Sequence, residues 1–309
     1  MTTRRNFLKN TTMLAAGLGV SPLLSSSPLR SYQKEEVING KVRIAVIGVG
    51  MGCRDLQGAL TDNPWVHCVG MCDVNKVRLE EQLARFKKDF PEQTVSIKAY
   101  TDFREVLSNK EIDGVIIATP DHWHPYIFAE ALKAGKAIYV EKPVGNSISE
   151  CNAMMDFQKK YKGVVTTGLW QTSQRYFRAA NEILKSGVLG DVYKVQLWLC
   201  QSTNPRPSVE DSEAPSTLDY DMWLGPAPER PFNNSRFRGW RGFWDYGGGQ
   251  QTDWGVHWID SAFDGLKALG LCDREYPDAV FSTAYKDPAS FNETPSCQTS
   301  IFQYCLLYT

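Results

Sequence analysis

The sequence has no excess of charge of either sign. Lys and Arg number 34 against 35 Asp and Glu, a formal net charge of −1. That balance gives no basic surface for a nucleic acid. There is no C-x-x-C pair, and eight cysteines in 309 residues are too few for a disulfide-held scaffold of this size. Cys68 and Cys72 come nearest to a metal-ligand spacing. They fall in a run that reads as a strand, where four residues span ~13 Å. One ion cannot bridge that, so both read as core. No apolar run reaches the ~20 residues needed to cross a bilayer core. With 42% hydrophobic and 22% charged residues, the bulk of the chain is neither disordered, collagen-like nor coiled-coil.

Aromatics are plentiful: nine Trp, thirteen Tyr and fourteen Phe. Such side chains line sites for ring-shaped ligands, and they also fill cores. The length suits one large domain or two ordinary ones.

The chain opens Thr3-Arg4-Arg5-Asn6-Phe7-Leu8-Lys9, and a short apolar run extends from Met13 to Leu24. A positive start before a short apolar stretch reads as a signal peptide, and paired arginines followed by Phe-Leu-Lys match a twin-arginine signal. A basic amphipathic helix is the other reading. Residues 1–32 are taken as signal and linker, with no A-x-A site and no lipobox cysteine to place a cleavage point. The expected location is periplasmic, with the twin-arginine export machinery as a partner. That route carries proteins that fold before export, as a protein with a tightly bound cofactor must.

KVRIAVIG at 41–48 reads as a strand apolar on both faces. A turn follows through Gly48, Gly50, Met51 and Gly52, then a helix-compatible stretch to Leu60. Glycines between strand and helix let backbone approach a pyrophosphate at the helix N-terminus. The third glycine falls one place early, with Cys53 where G-x-G-x-x-G would have it. A second strand, Trp65 to Cys72, ends at Asp73. That aspartate lies close to the ~20-residue spacing of the acidic group that takes ribose hydroxyls. Its carboxylate favours NAD over NADP by repelling a 2′-phosphate, although Lys76 and Arg78 just beyond could compensate.

A helix over 76–88, an Asp102-x-x-Glu105 helix start and a strand from Gly114 to Ala118 continue the pattern. The loop Thr119-Pro120-Asp121-His122-Trp123-His124 and a strand Ala137–Val140 follow. Ser147-x-x-Glu150 then reads as a capping box. The expected fold is α/β: a doubly wound Rossmann domain over 41–165 and a second domain over 166–309.

Glu141-Lys142-Pro143 closes the strand at Val140. A lysine outside the carboxyl end of such a strand can exchange a proton with a substrate hydroxyl, or it can be a surface residue before a turn. Gly247-Gly248-Gly249 opens a helix carrying Asp253, His257 and Asp260. At i, i+4 the first two face one way, which suits a carboxylate orienting an acid–base imidazole. A metal site and a structural cap are the other readings of that spacing; no metal is expected. Between 232 and 258, aromatics including Tyr246 interleave with Arg236, Arg238 and Arg241. They form either a sugar-binding wall or second-domain core.

Together these pieces resemble the Gfo/Idh/MocA oxidoreductase family over roughly 41–300. The carriers are IAVIGVGMG at 44–52, CDVN at 72–75, ATPDHWH at 118–124 and EKPVGNS at 141–147. GLWQTSQR at 168–175, SGVLGDV at 186–192, DYDMWLGPAPERPFN at 219–233 and WDYGGGQQTDWGVHWID at 244–260 also match. The twin-arginine start and the WLGPAP stretch are similar to an exported, Bacteroidetes-type branch. The resemblance implies a second α/β domain with a large, mostly antiparallel open sheet that carries substrate contacts and subunit interfaces. It implies hydride transfer between NAD(P) and a carbohydrate or polyol carbon, and a homo-oligomer where that domain is complete. Lys142, Asp253 and His257 match the catalytic positions. Thr119, Pro120, His124, Glu141 and Lys142 match positions along the cofactor. Arg175 and Tyr246, with Asp253 and His257, match the substrate side. Alternatives within the resemblance are an NAD-retaining glycosidase or epimerase working by transient oxidation, and an inactive member. The chain ends in an apolar β-like run from Ser300 to Thr309, which we read as a truncated product, a reading that intact-mass measurement on protein from the native gene would decide.

Overall fold

A computed structural model describes residues 41–50, 63, 65–91, 96–198, 206–271 and 277–303. The twin-arginine segment, Met51, Gly52 and Cys53 of the glycine turn, the stretch to Leu60 and the last six residues lie outside the described residues. The chain forms two compact units. One runs to Thr167 and takes back Glu213–Phe232; the other comprises Gly168–Ser212 and the chain from Asn233 onward. Sequence order alone places 213–232 in the second domain, whereas its contacts place it in the first.

The first unit is built on β1 (Val42–Ile47), β2 (Val66–Cys72), β3 (Lys98–Tyr100), β4 (Gly114–Ile117), β5 (Ala137–Val140) and β6 (Val165–Thr167). All pair in parallel, in the order β3-β2-β1-β4-β5-β6. This is the doubly wound Rossmann order, reversing direction between β1 and β4. Helices α1 (Lys76–Asp89), α2 (Phe103–Ser108), α3 (His124–Lys133) and α4 (Ile148–Tyr161) connect the strands. Their starts are written locally. Asn75 and Asp102 accept from the amides of Arg78 and Arg104, and Ser147 and Glu150 form the expected capping box.

β1 shows why its apolar run is unbroken. Ile44 and Val46 pack with Leu79 and Phe86 on one face; Ala45 and Ile47 pack with Val115, Ile127 and Phe128 on the other. Each such buried aliphatic contributes roughly 1.5–3 kcal/mol. The β1–β2 register skips Val69, a bulge that sends Cys68 and Cys72 to opposite faces. Burial pushes the Cys68 thiol up to about 12. It also lifts Cys72, with the Asp73 charge adding to the effect. Both are inert core residues.

Helix α5 (Arg175–Lys185) belongs to the second unit, and the segment that returns to the first carries α6 (Tyr220–Leu224). Lys76 N donates to Thr217 O and Asp219 N to Val74 O, at 2.9 and 3.0 Å. The Trp123 indole donates to the carbonyls of Met222 and Trp223, both at 3.0 Å. Gly225 lies against the same ring. Its φ is +49°, and a Cβ would fall 2.1 Å from Trp123 Cζ2, so only glycine fits.

In the second unit α5 packs beside α8 (Val256–Ala268). Asn181 donates to Asp264, and Gly265 lets Leu184 approach. α7 (Asn234–Arg238) and a π-helical turn, Gln251–Gly255, precede α8. The antiparallel sheet is small: among the described residues it is one pair, β7 (Ala279–Tyr285) with β8 (Cys297–Gln303). The larger sheet was expected from the family resemblance, not from strand-like runs in these residues. No described helix is long and apolar enough to cross a membrane.

Candidate active-site residues

The chain leaves β1 at Gly48, whose φ is +87°. A Cβ there would lie 2.6 Å from the Ala118 carbonyl oxygen. Backbone angle and space both demand glycine. Gly48 and Thr119 thus flank the crevice between β1 and β4, where strand order reverses and dinucleotides bind in such sheets.

Asp73 stands one residue past β2 and is 8% exposed. Its Oδ2 accepts from Val49 N at 3.0 Å and its Oδ1 from Asn75 N at 2.8 Å. The carboxylate therefore holds the glycine turn against β2, and each oxygen keeps a lone pair for a ligand hydroxyl. Burial raises its pKa; the Asn75 amide, the Arg78 charge and the Val49 amide pull it partly back. Arg78 reaches the turn itself, with Nη1 3.8 Å from where a Cβ on Gly50 would stand. Lys76 is exposed.

Thr119 Oγ1 is buried and has no hydrogen-bond partner among the described residues. Pro120 leads into the short turn Asp121–Trp123. His124, 1% exposed, sits between two carbonyls: Nδ1 is 2.7 Å from Pro143 O and Nε2 2.9 Å from Thr119 O. It ties the loop after β4 to the loop after β5, and satisfies both carbonyls only when both nitrogens carry protons. Glu141 N donates to Ile117 O at 2.9 Å. The Glu141 carboxylate accepts from the Tyr139 hydroxyl and the Lys142 amide, both at 3.2 Å. Burial, then the Glu141 charge, push the Tyr139 phenol up, so it stays a neutral donor. Lys142 is half-buried beyond β5. Gly48, Gly50, Asp73, Thr119, Pro120, His124, Glu141 and Lys142 therefore stand outside the carboxyl ends of β1, β2, β4 and β5.

In the second unit, Asp253 lies in the π-helical turn and His257 is the second residue of α8. The sequence spacing predicts one α-helical face. The wider π winding rotates Asp253 around the axis, a distortion that recurs at functional sites. The Asp253 carboxylate, 14% exposed, takes Arg241 Nε at 3.1 Å. His257 is 5% exposed, with the rings of Trp170 and Trp254 edge-on at 5.8 and 6.2 Å. Ser261 Oγ lies 2.9 Å from both the His257 carbonyl and Gln171 Oε1, sharing one proton between them. Burial, then Asp264, raise the Asp260 pKa. Arg175 begins α5 and is exposed.

Tyr246 departs from the expectation of a substrate contact. It is 0% exposed, a core residue that presents no surface to a ligand in this conformation. Phe232 and Phe243 are buried too, whereas Trp244 and Trp254 are exposed. The Trp123–Gly225 contact and the orphaned Thr119 hydroxyl had no signal in the sequence, because each depends on a tertiary neighbour.

Residues 42–169 match the profile described as oxidoreductase family, NAD-binding Rossmann fold. Residues 178–268 match the same family's C-terminal alpha/beta domain. The chain belongs to the Gfo/Idh/MocA family. Its first unit is that family's NAD-binding domain. Over 163 residues the chain is 33% identical to an alpha-N-acetylgalactosaminidase of Tannerella forsythia, a match covering 48% of this chain and 34% of that protein. It is 24% identical over 151 residues to an inositol 2-dehydrogenase of Salmonella typhimurium, covering 48% and 43%. The chain thus spans less than half the length of the curated relatives it matches. The WlbA dehydrogenase of Bordetella pertussis, solved with NADH and UDP-GlcNAcA, superposes with a TM-score of 0.60 at 16% identity, over 85% of this chain and 67% of that one. At that identity the likeness shows the fold.

Proposed function

We propose that the protein is an NAD-dependent oxidoreductase acting on a hydroxyl-bearing carbon of a carbohydrate or polyol. The observation that carries this is the β1–β4 crevice. Gly48 has no room for a Cβ, Asp73 caps the neighbouring strand, and the buried Thr119 hydroxyl lacks a partner among the described residues. These residues fit a dinucleotide. Gly48 and Gly50 would let its phosphates approach the backbone, Asp73 would accept from the ribose hydroxyls, and Thr119 would donate to it. NAD, when bound, supplies the hydride acceptor. Asp73 supports NAD over NADP, because its buried carboxylate repels a 2′-phosphate; Arg78 at the turn is the group that would relax that choice.

The family resemblance assigns the proton chemistry to Lys142, His257 and Asp253. His257 takes the hydroxyl proton while Asp253 steadies the resulting charge, and Lys142 donates a hydrogen bond to the developing alkoxide oxygen. In the variant form Lys142 and His257 exchange roles. Arg175 is the remaining substrate contact in this reading.

The match to an alpha-N-acetylgalactosaminidase favours a second reading, in which NAD stays bound and transient oxidation leads to glycoside cleavage. One experiment separates the two. Nucleotide carried through purification is quantified first, and the protein is then offered sugars, polyols and aryl glycosides. Steady NADH release at 340 nm supports the dehydrogenase; glycoside cleavage with no net NADH supports the second reading. Neither, with NAD bound, contradicts both.

We further infer export by the twin-arginine route, on the strength of Arg4-Arg5 followed by Phe7-Leu8-Lys9. A reporter fused to residues 1–40 should reach the periplasm and fail to do so with Arg4→Lys and Arg5→Lys. Equal export of both forms would contradict it.

A further inference from the structure

The second unit holds a cavity of about 170 Å³ that the proposed chemistry leaves unassigned. Its walls come from stretches far apart in sequence: Arg206, the Arg238–Gly239 and Arg241–Gly242 pairs, Gly249 with Gln250, Asn292, and Thr294 to Ser296. Three arginines, Arg206, Arg238 and Arg241, share it. Arg241 gives its Nε to Asp253 at 3.1 Å and lies over the Trp240 ring. Arg206 and Arg238 have no ion pair among the described residues. The nearest other carboxylate in sequence, Glu293, accepts from Trp244 N at 3.1 Å. The cavity therefore carries net positive charge.

Glycines let these groups close in. A Cβ on Gly239 would lie 2.2 Å from both Cζ and Nε of Arg206 and 2.6 Å from Nη2. Such near-equal distances set the guanidinium broadside on bare backbone. A Cβ on Gly242 would fall 2.5 Å from Asn292 Oδ1, and one on Gly249 2.8 Å from Thr294 Oγ1. Arg206 Nε and Asn292 Oδ1 are buried with no hydrogen-bond partner among the described residues. Buried orphans of this kind are rare and costly, and a donor-rich pocket with unmet groups is built for a ligand.

We propose that this cavity binds the anionic substituent of a sugar ligand, a carboxylate, sulfate or phosphate. The guanidinium groups of Arg206 and Arg238 hold the anion, and the Asn292 amide takes a neighbouring hydroxyl. Arg241 joins the cavity wall to Asp253, so an anion held there sets which hydroxyl is presented for reaction. This coupling rests on the function proposed above; the anion site does not.

The full-length protein is titrated calorimetrically at low salt with uronates, sugar phosphates and sugar sulfates of glucose, galactose and N-acetylglucosamine. Their neutral parents, inorganic sulfate and acetate are the comparisons. At least one charged sugar should bind tenfold or more tighter than its parent, and the class that binds best identifies the anion. Arg238→Gln should remove that preference, while Arg85→Gln, an equal loss of charge on α1, should keep it. Equal binding of charged and neutral sugars, a preference that survives Arg238→Gln, or binding of the bare ions only would overturn the proposal. Charged-sugar preference without nucleotide reduction would keep the site and remove the oxidoreductase reading. Oxidation of neutral sugars without charge preference would do the reverse.

Discussion

In the first unit all four residues of β4 are buried and β1 is buried over its last four. In the second, β7 and β8 expose twelve of their fourteen residues between them, including Phe281 at 61% and Ile301 at 62%. The first unit draws its stability from two apolar clusters on either face of one sheet. The second is held by close approaches: Gly265 against Leu184, Gly242 against Asn292, Gly249 against Thr294. A cofactor domain needs a rigid platform whose strand ends stay in register. A unit built from turns can place three arginines from distant stretches around one cavity.

That contrast can be broken at several points. The largest expected effect is on turnover. Lys142→Ala should lower kcat by about 10²–10⁴ and leave NAD affinity near that of the parent, measured by rate assay and titration. An unchanged rate would remove Lys142 from the chemistry. Next is stability. Ile117→Ala in the first unit should cost about 2–5 kcal/mol in denaturant unfolding. Gly48→Ala should cost ~1–3 kcal/mol from its backbone angle alone, and should weaken NAD binding through the clash with Ala118.

A smaller effect sharpens the role of Asp73. Burial raises its pKa above the ordinary value near 3.8, so protonation competes with ribose binding. NAD affinity should fall as pH drops through that raised pKa. Asp73→Asn should lose roughly 1.5–3 kcal/mol of affinity and abolish this pH dependence. Without NAD the sign for folding is opposite: the native state binds the proton more tightly than the unfolded chain, so this group's contribution to stability falls as pH rises through the same window. The smallest effect belongs to the second unit. Phe281→Ser should change stability by no more than about 0.5 kcal/mol; a loss as large as that of Ile117→Ala would show that the β7–β8 face is covered in solution.

Most of the first unit is legible in the sequence. Strands buried on both faces write continuous apolar runs, and β1, β2, β4 and β5 fall within a residue or so of expectation. Helix caps are local, so Asp102 and the Ser147–Glu150 box are read directly. β3 and β6, three residues each, are too short to carry a period. The return of 213–232 to the first unit is not written locally, because the contact of Trp123 with Gly225 spans about a hundred residues. In the second unit, π and α windings share one pattern of residue types, so spacing alone does not distinguish the turn at Asp253 from a regular helix. Tyr246 sits in an aromatic-rich stretch where core and wall look alike. The arginine cavity joins residues that no spacing rule relates.

The central claim is that NAD held by the first unit exchanges a hydride with a sugar carbon. Single-turnover absorbance at 340 nm tests it most directly, with NAD-loaded protein in excess over each sugar, sugar acid and glycoside. Absorbance should rise with at least one of them, approaching one NADH per substrate or decaying as a transient intermediate. NAD bound to a folded protein, with no rise for any compound and no glycoside cleaved, would contradict it.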